Sequence, residues 1–187
     1  MKKTLYACVV ELGHREPEFM IVVADLGSFR EFQDQHPERY INCGVTESNS
    51  VSIAAGLASE GKKVLLYTVA GFTIYRGFEQ IKFAVGYWNQ SVHIIGSGFG
   101  WRFYQVGRGH HPMDDIKLMR SIPNMSIYTP ATTKKLKEIL HGLPSTPSYI
   151  RIGEEERENL PKVMRYESPD LIIFALGELV FHCHQAI

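Results

Sequence analysis

Few residues of this 187-residue chain are of types and spacings that suit chemistry. Glu47 comes first. In "INCGVTESNSVSIAAGLASEG" it is the acid at the first turn of an otherwise apolar helical stretch, ahead of Val51, Ala54, Ala55 and Leu57. A carboxylate there gains roughly 0.3–1 kcal/mol at exposed sites from unpaired backbone N–H groups and the helix dipole; the same group can exchange protons with a ligand. His110 and His111 sit in a glycine-rich loop, either as solvated residues or as proton carriers near neutral pH. Adjacent loop histidines rarely both ligate one ion, and no third ligand is evident, so no metal is expected here. Asp25 closes an apolar run at Asp25-Leu26-Gly27, where an acid either ends a strand or faces a ligand beyond it. Phe72 follows a second apolar run, as core residue or as an aromatic platform, with Tyr75 one helical turn on. Arg151 lies in "PSYIRIG" near the end of the regular pattern.

These residues need elements to hold them. "FMIVVAD" (19–25) is a continuous apolar run, the mark of a strand buried on both faces. "RYINC" predicts a short second strand, and a helix follows over 46–59 with Thr46 at its N-cap. "KVLLYTV" (63–69), a helix near 74–86, "SVHIIGSG" (91–98), a helix near 113–121, "MSIYTP" (125–130), a helix from Thr132 to His141 and "PSYIRIG" (147–153) complete the series. Strand and helix alternate regularly, so the fold class is α/β, with a mostly parallel sheet covered by helices on both faces. In such sheets ligands sit beyond the carboxyl ends of the strands. Residues 96–113 break the rhythm as a long loop rich in glycine, aromatics and histidine, a composition that argues for function.

The chain is long enough for one domain with a sizeable core, with 44% hydrophobic residues. Twenty basic residues balance twenty acidic ones, which argues against nucleic acid or a membrane surface as the main partner. The start, "MKKTLYACVVELGHREPE", predicts an amphipathic helix, because Glu11 cuts the apolar run short of a secretion signal. Three widely spaced cysteines, Cys8, Cys43 and Cys183, fit no zinc or redox spacing. Reduced cysteines in a cytoplasmic protein are expected.

Four segments in order, "INCGVTESN", "YTVAGFTIYRGFEQI", "GHHPMDDIKLMRSIPNM" and "YIRIG", together resemble the pyrimidine-binding domain of the transketolase family of thiamine-diphosphate enzymes. The family writes the first as I-N-x-G-x-x-E-x-N, the second as an aromatic followed four residues on by R-x-x-E-Q, and the third as T-H-x-x-x-E-D, a short gap, then R-x-[IL]-P-N-M. The likeness covers about residues 5–165. It implies that Glu47 is catalytic, hydrogen-bonded to ring nitrogen N1′ of the cofactor's aminopyrimidine so that N4′ can take the proton from thiazolium C2. To donate, Glu47 has to carry a proton in the complex, which a dry pocket favours. It further implies that Phe72 stacks on the pyrimidine, that Tyr75 closes the same pocket, and that Asp25 lies near the cofactor. His110 matches the family's active-site histidine, in contact with substrate, with His111 assisting and Arg151 near the substrate. Arg76, Glu79 and Gln80 match the following helix and read as interface or structural residues.

The departures are informative. Val69 stands where many members carry another aromatic. The family's G-[EA]-D-G turn becomes "YQVG" (104–107), and small residues become Trp101, Phe103 and Tyr104. Glu154 holds the place where sugar-phosphate members carry an arginine, and strand alternation points Arg151 elsewhere. An acid facing a phosphate repels it by roughly 1 kcal/mol or more. The expected substrate is therefore a small ketose or 2-oxo acid other than an ordinary sugar phosphate.

The family binds the diphosphate and Mg²⁺ through a G-D-G…N motif on another domain, and "ADLGSF" lacks it. The resemblance thus implies a separate diphosphate-binding chain that holds Mg²⁺, in a homodimer or heterotetramer. The expected organisation is a pyrimidine-binding domain at 1–153, a polar linker at 154–168, and the first strand and helix of a truncated third domain at 169–187. The activity implied is transfer of a two-carbon ketol or acyl unit by a split, transketolase-like enzyme. A 2-oxo acid dehydrogenase of the beta type and a catalytically silent binding module are the alternatives.

Overall fold

The computed structural model describes residues 1–24, 29–161 and 172–185. Asp25 lies outside them, as do residues 162–171 of the expected linker and third segment.

Apolar strands with hydrophobic residues on both faces form a six-stranded sheet of order β2-β1-β3-β4-β6-β5, parallel throughout. The strands are β1 (Phe19–Val23), β2 (Tyr40–Asn42), β3 (Lys63–Val69), β4 (Val92–Ser97), β5 (Ser126–Tyr128) and β6 (Ser148–Ile152). β1 is buried at all five positions, and β3 at all but its first. A strand so placed has no solvated face, which is why these runs are continuous rather than alternating.

Helices cover both faces. On one, α1 (Lys2–Arg15) sets Leu5, Cys8, Val9 and Leu12 against Phe19, Ile21, Leu65 and Ile150, beside α7 (Thr133–His141). The i, i+3, i+4 spacing of those α1 residues is the amphipathic stripe that the opening segment predicts. On the other face, α3 (Glu47–Ser59) sets Val51, Ala54 and Ala55 against Val22, Leu66 and Ile94. α4 (Ala70–Arg76) and α6 (Asp115–Arg120) share that layer. A helix not expected from the sequence, α2 (Arg30–Gln35), buries Phe32 beneath α1. Near the end of the chain, residues 172–176 carry no strand, and α8 (Leu179–Gln185) buries Phe181.

The helix expected near 74–86 is three pieces. α4 starts directly at the end of β3, α5 (Phe78–Gln80) follows Gly77, and Ile81–Tyr87 winds as a π-helix. Gly77 lies where α4 meets α3: a methyl group there would stand 2.8 Å from the Thr73 carbonyl oxygen and 3.0 Å from Val51. That close approach brings α4 onto the start of α3.

Two buried polar groups tie the sheet to its helices. His93 on β4 is fully buried opposite Ser148 on β6, with Nδ1 2.8 Å from Ser148 Oγ. Burial, with Lys63 nearby, pulls its pKa down to about 3, against a smaller upward pull from Glu16. Asp115, 1% exposed at the first turn of α6, accepts hydrogen bonds from Tyr149 Oη and Arg151 Nε, both 2.7 Å away and both on β6. A side chain at Gly96 on the adjacent strand would overlap the Tyr149 ring, so glycine there lets the phenol reach across to Asp115.

Both make predictions. An unfolded histidine titrates near 6.5, so below that pH the unfolded chain binds a proton that buried His93 refuses. Stability is then full above about pH 6.5 and falls by roughly 1.4 kcal/mol per pH unit toward pH 3. Urea unfolding of wild type and His93→Asn at several pH values should show the steeper loss in the wild type between pH 6.5 and 5; parallel curves would refute it. Asp115→Ala leaves a guanidinium and a phenol unpaired and should cost about 3 kcal/mol in the same assay.

Candidate functional site

The carboxyl ends of β1, β3 and β4 lead to one corner of the molecule, and the site is built there. After β2, Gly44 takes a left-handed conformation (φ +62°), its N–H held by Asn42 Oδ1 at 2.9 Å. Thr46 precedes α3 as expected, but its hydroxyl donates to the Cys43 carbonyl at 2.7 Å rather than capping the helix. Glu47 is therefore the acid nearest the free N–H groups of α3, where the helix dipole favours a negative charge. Its side chain is only 5% exposed.

The partner of Glu47 corrects the reading of Arg76 as an interface or structural residue. Arg76 Nη1 lies 3.0 Å from both Glu47 carboxylate oxygens. The same guanidinium sits over the Phe72 ring, 4.2 Å from its centroid. Phe72 and Arg76 are one turn apart on α4, so both contacts follow from i, i+4 spacing. The end of α4 is also fixed to α3 by Ser48 Oγ donating to the Arg76 carbonyl at 2.5 Å.

His110 joins this group from the loop. Its ring is 4.6 Å from that of Phe72 at an interplanar angle of 62°, and 6.1 Å from Phe103. Gly71 makes the approach possible: a methyl group there would stand 3.1 Å from the Gly109 carbonyl oxygen. Glu47, Phe72 and His110 are thus brought together, with Arg76 among them. His111 turns the other way, its Nε2 3.0 Å from the Phe103 carbonyl and its ring 4.9 Å from Trp101.

The remaining sequence-derived candidates are placed differently. Tyr75 is 44% exposed and donates to the Asp114 carboxylate; burial and that acid push its pKa up to about 12. Arg151 is held by Asp115 and lies under Phe99, 4.0 Å from the ring centroid. Its guanidinium therefore braces the loop that carries His110. Glu154 forms an ion pair with Arg102. Val69 is buried.

Among the described residues, one group brings metal-ligand atom types together: Cys8, Glu11 and His141, within 4.8 Å of one another. His141 Nε2 pairs with Glu11 at 3.0 Å between α7 and α1, and burial pushes the Cys8 thiol up to about 11. A thiol so held is disfavoured as the thiolate a metal needs.

A buried carboxylate, an aromatic face and an imidazole at the carboxyl edge of a parallel sheet can grip a flat heterocycle and exchange a proton with it. Comparison with known proteins agrees with that chemistry. Residues 1–159 match the family described as transketolase, pyrimidine binding domain. One of the two chains of the apulose-4-phosphate transketolase of Phocaeicola vulgatus is 32% identical, over 99% of this chain and 64% of the relative. The 6-deoxy-6-sulfo-D-fructose transketolase subunit SqwH of a Clostridium species is 29% identical, over 96% of this chain and 61% of the relative. A solved split-gene transketolase, an inactive beta4 tetramer, superposes with a TM-score of 0.71 at 30% identity, over 92% of this chain and 55% of that one. The chain spans less than two thirds of the length of these relatives. On the match over residues 1–159, the chain belongs to the transketolase pyrimidine-binding domain family.

Proposed function

We propose that this chain supplies the pyrimidine end of a thiamine-diphosphate site in a transketolase-like, ketol-transferring enzyme, with a separate chain holding the diphosphate and Mg²⁺. One observation carries the reading: Glu47, nearly buried at the first turn of α3, shares its neighbourhood with the Phe72 face and, through Phe72, with His110. That set fits an aminopyrimidine, a flat ring with a basic nitrogen. Arg76 already shows that a planar group with N–H donors can use the ring of Phe72 and the carboxylate together. When bound, the cofactor supplies a nucleophilic carbon that no side chain provides.

The chain's own residues do the rest. Glu47 holds a proton at its carboxyl oxygen for the ring nitrogen. Phe72 presents an apolar face that orients the ring. His110, on the loop side, carries a proton to or from the substrate at an imidazole nitrogen. Phe99, Trp101 and Phe103 wall the entrance, and Arg151 fixes the loop through its contacts with Phe99 and Asp115. Tyr75 ties α4 to the segment ahead of α6 through Asp114. Asp25 follows the carboxyl end of β1 in sequence and is assigned to the cofactor's surroundings by resemblance alone.

A partner is supported by exposed aromatics around this corner. Phe83 and Tyr87 stack at 5.4 Å, and both are more than half exposed, as are Trp88 and Trp101. Exposed aromatic surface of this kind marks interfaces. The names of the relatives, each a transketolase subunit, point the same way. Balanced charge, and the absence among the described residues of a helix long and apolar enough to cross a membrane, fit a small-molecule enzyme working in the cytoplasm. Residues 1–153 then form the pyrimidine domain, with the linker and the opening of a third domain beyond it.

The substrate reading rests on Glu154. Paired with Arg102, it presents a neutralised couple rather than a free cation, so phosphate recognition at that point is absent. Two assays test the proposal with the partner chain present. Glu47→Ala should lower thiamine-dependent ketol transfer by at least about a hundredfold while leaving the melting curve near that of the wild type; full turnover would refute the assignment. Unphosphorylated ketoses should be used better than their phosphate esters, and clear preference for the esters would overturn the substrate reading.

A further inference from the structure

The guanidinium of Arg76 touches the same two groups that the proposed pyrimidine ring has to touch. It covers the Phe72 ring at 4.2 Å, and it chelates both oxygens of Glu47 at 3.0 Å. A guanidinium is planar, delocalised and edged with N–H donors, so it reproduces the two properties by which a flat heterocycle would be recognised there: a stacking face and a hydrogen-bonding edge. The carboxylate has no other side-chain partner among the described residues, and Phe72 meets His110 on another side.

We infer that Arg76 is a self-ligand of this site: in the chain by itself it occupies the pyrimidine position, and thiamine diphosphate binds by displacing it. The inference rests on the function proposed above. Three features make the latch releasable rather than permanent. Arg76 is the last residue of α4, directly before Gly77, so its side chain leaves from a helix end. The side chain is half exposed at 51%, and can swing into water without being stranded. Its anchors are a cation–π contact and a half-exposed ion pair, each of modest strength. Carboxylate and cation would otherwise be left unmatched in a nearly buried pocket, so the latch also keeps Glu47 partnered until the ligand arrives. The consequence is an affinity penalty on the cofactor, set by the fraction of chains in which Arg76 is parked.

Titration of the full chain with Mg²⁺–thiamine diphosphate by calorimetry tests this on three proteins: wild type, Arg76→Gln and Glu47→Gln. Arg76→Gln should bind about fivefold more tightly than the wild type, the gain from losing one modest competitor, and Glu47→Gln more weakly. Equal or weaker binding by Arg76→Gln, with Glu47→Gln still impaired, would remove the latch and leave the functional reading standing. Undiminished binding by Glu47→Gln, or no binding by any of the three at millimolar cofactor, would instead remove the reading beneath it. Should Arg76→Gln fail to fold, phenylglyoxal labelling of Arg76 followed by peptide mass analysis keeps the question open to refutation. Labelling should be faster in Glu47→Gln than in the wild type, and identical rates would show that Arg76 is not parked.

Discussion

The meeting of α3 and α4 through one carboxylate governs this corner of the molecule. Glu47 is nearly buried, and a buried charge needs a partner. Arg76 answers it from the end of α4, and Ser48 bonds the Arg76 carbonyl, so charge and backbone join the two helices at one point. Gly77 permits the approach and Gly71 admits the loop on the other side of α4. A larger residue at either glycine would part the elements that hold the site.

The parallel sheet supplies the frame for this meeting. Parallel strands all end at the same edge, so the segments leaving β2, β3 and β4 emerge side by side. Each delivers one component: Glu47 after β2, Phe72 and Arg76 after β3, His110 after β4. A fourth strand, β6, contributes indirectly. Its Arg151 and Tyr149 meet Asp115, and Arg151 underlies Phe99, which steadies the loop from beneath. The two histidines of that loop consequently have separate surroundings, one against Phe72 and the other against Trp101.

Charge is handled economically around the site. Glu154 meets Arg102, Asp115 meets Arg151, and Glu47 meets Arg76. Each acid thus has its own cation, and the entrance is walled by aromatic rings rather than by a free positive group. Such an entrance discriminates by shape and apolar contact more than by net charge.

The sequence alone determined the alternation of strand and helix, because hydrophobic runs and their turn signals are local features of the chain. It also singled out Glu47, Phe72 and His110, since each stands in a motif legible within a dozen residues. It was less informative where geometry depends on distant neighbours. α2 escaped notice because six residues give little periodicity, and its one buried anchor, Phe32, has meaning only beneath α1. The helix after β3 was expected whole, and packing of Gly77 on α3 broke it. Arg76 and Arg151 mark the limit most clearly. A guanidinium at the end of a long flexible side chain can reach many partners, and nothing in the order of residues says which. Only the tertiary structure, by setting α4 against α3 and β6 beneath the loop, decided that one arginine would face Glu47 and the other Asp115.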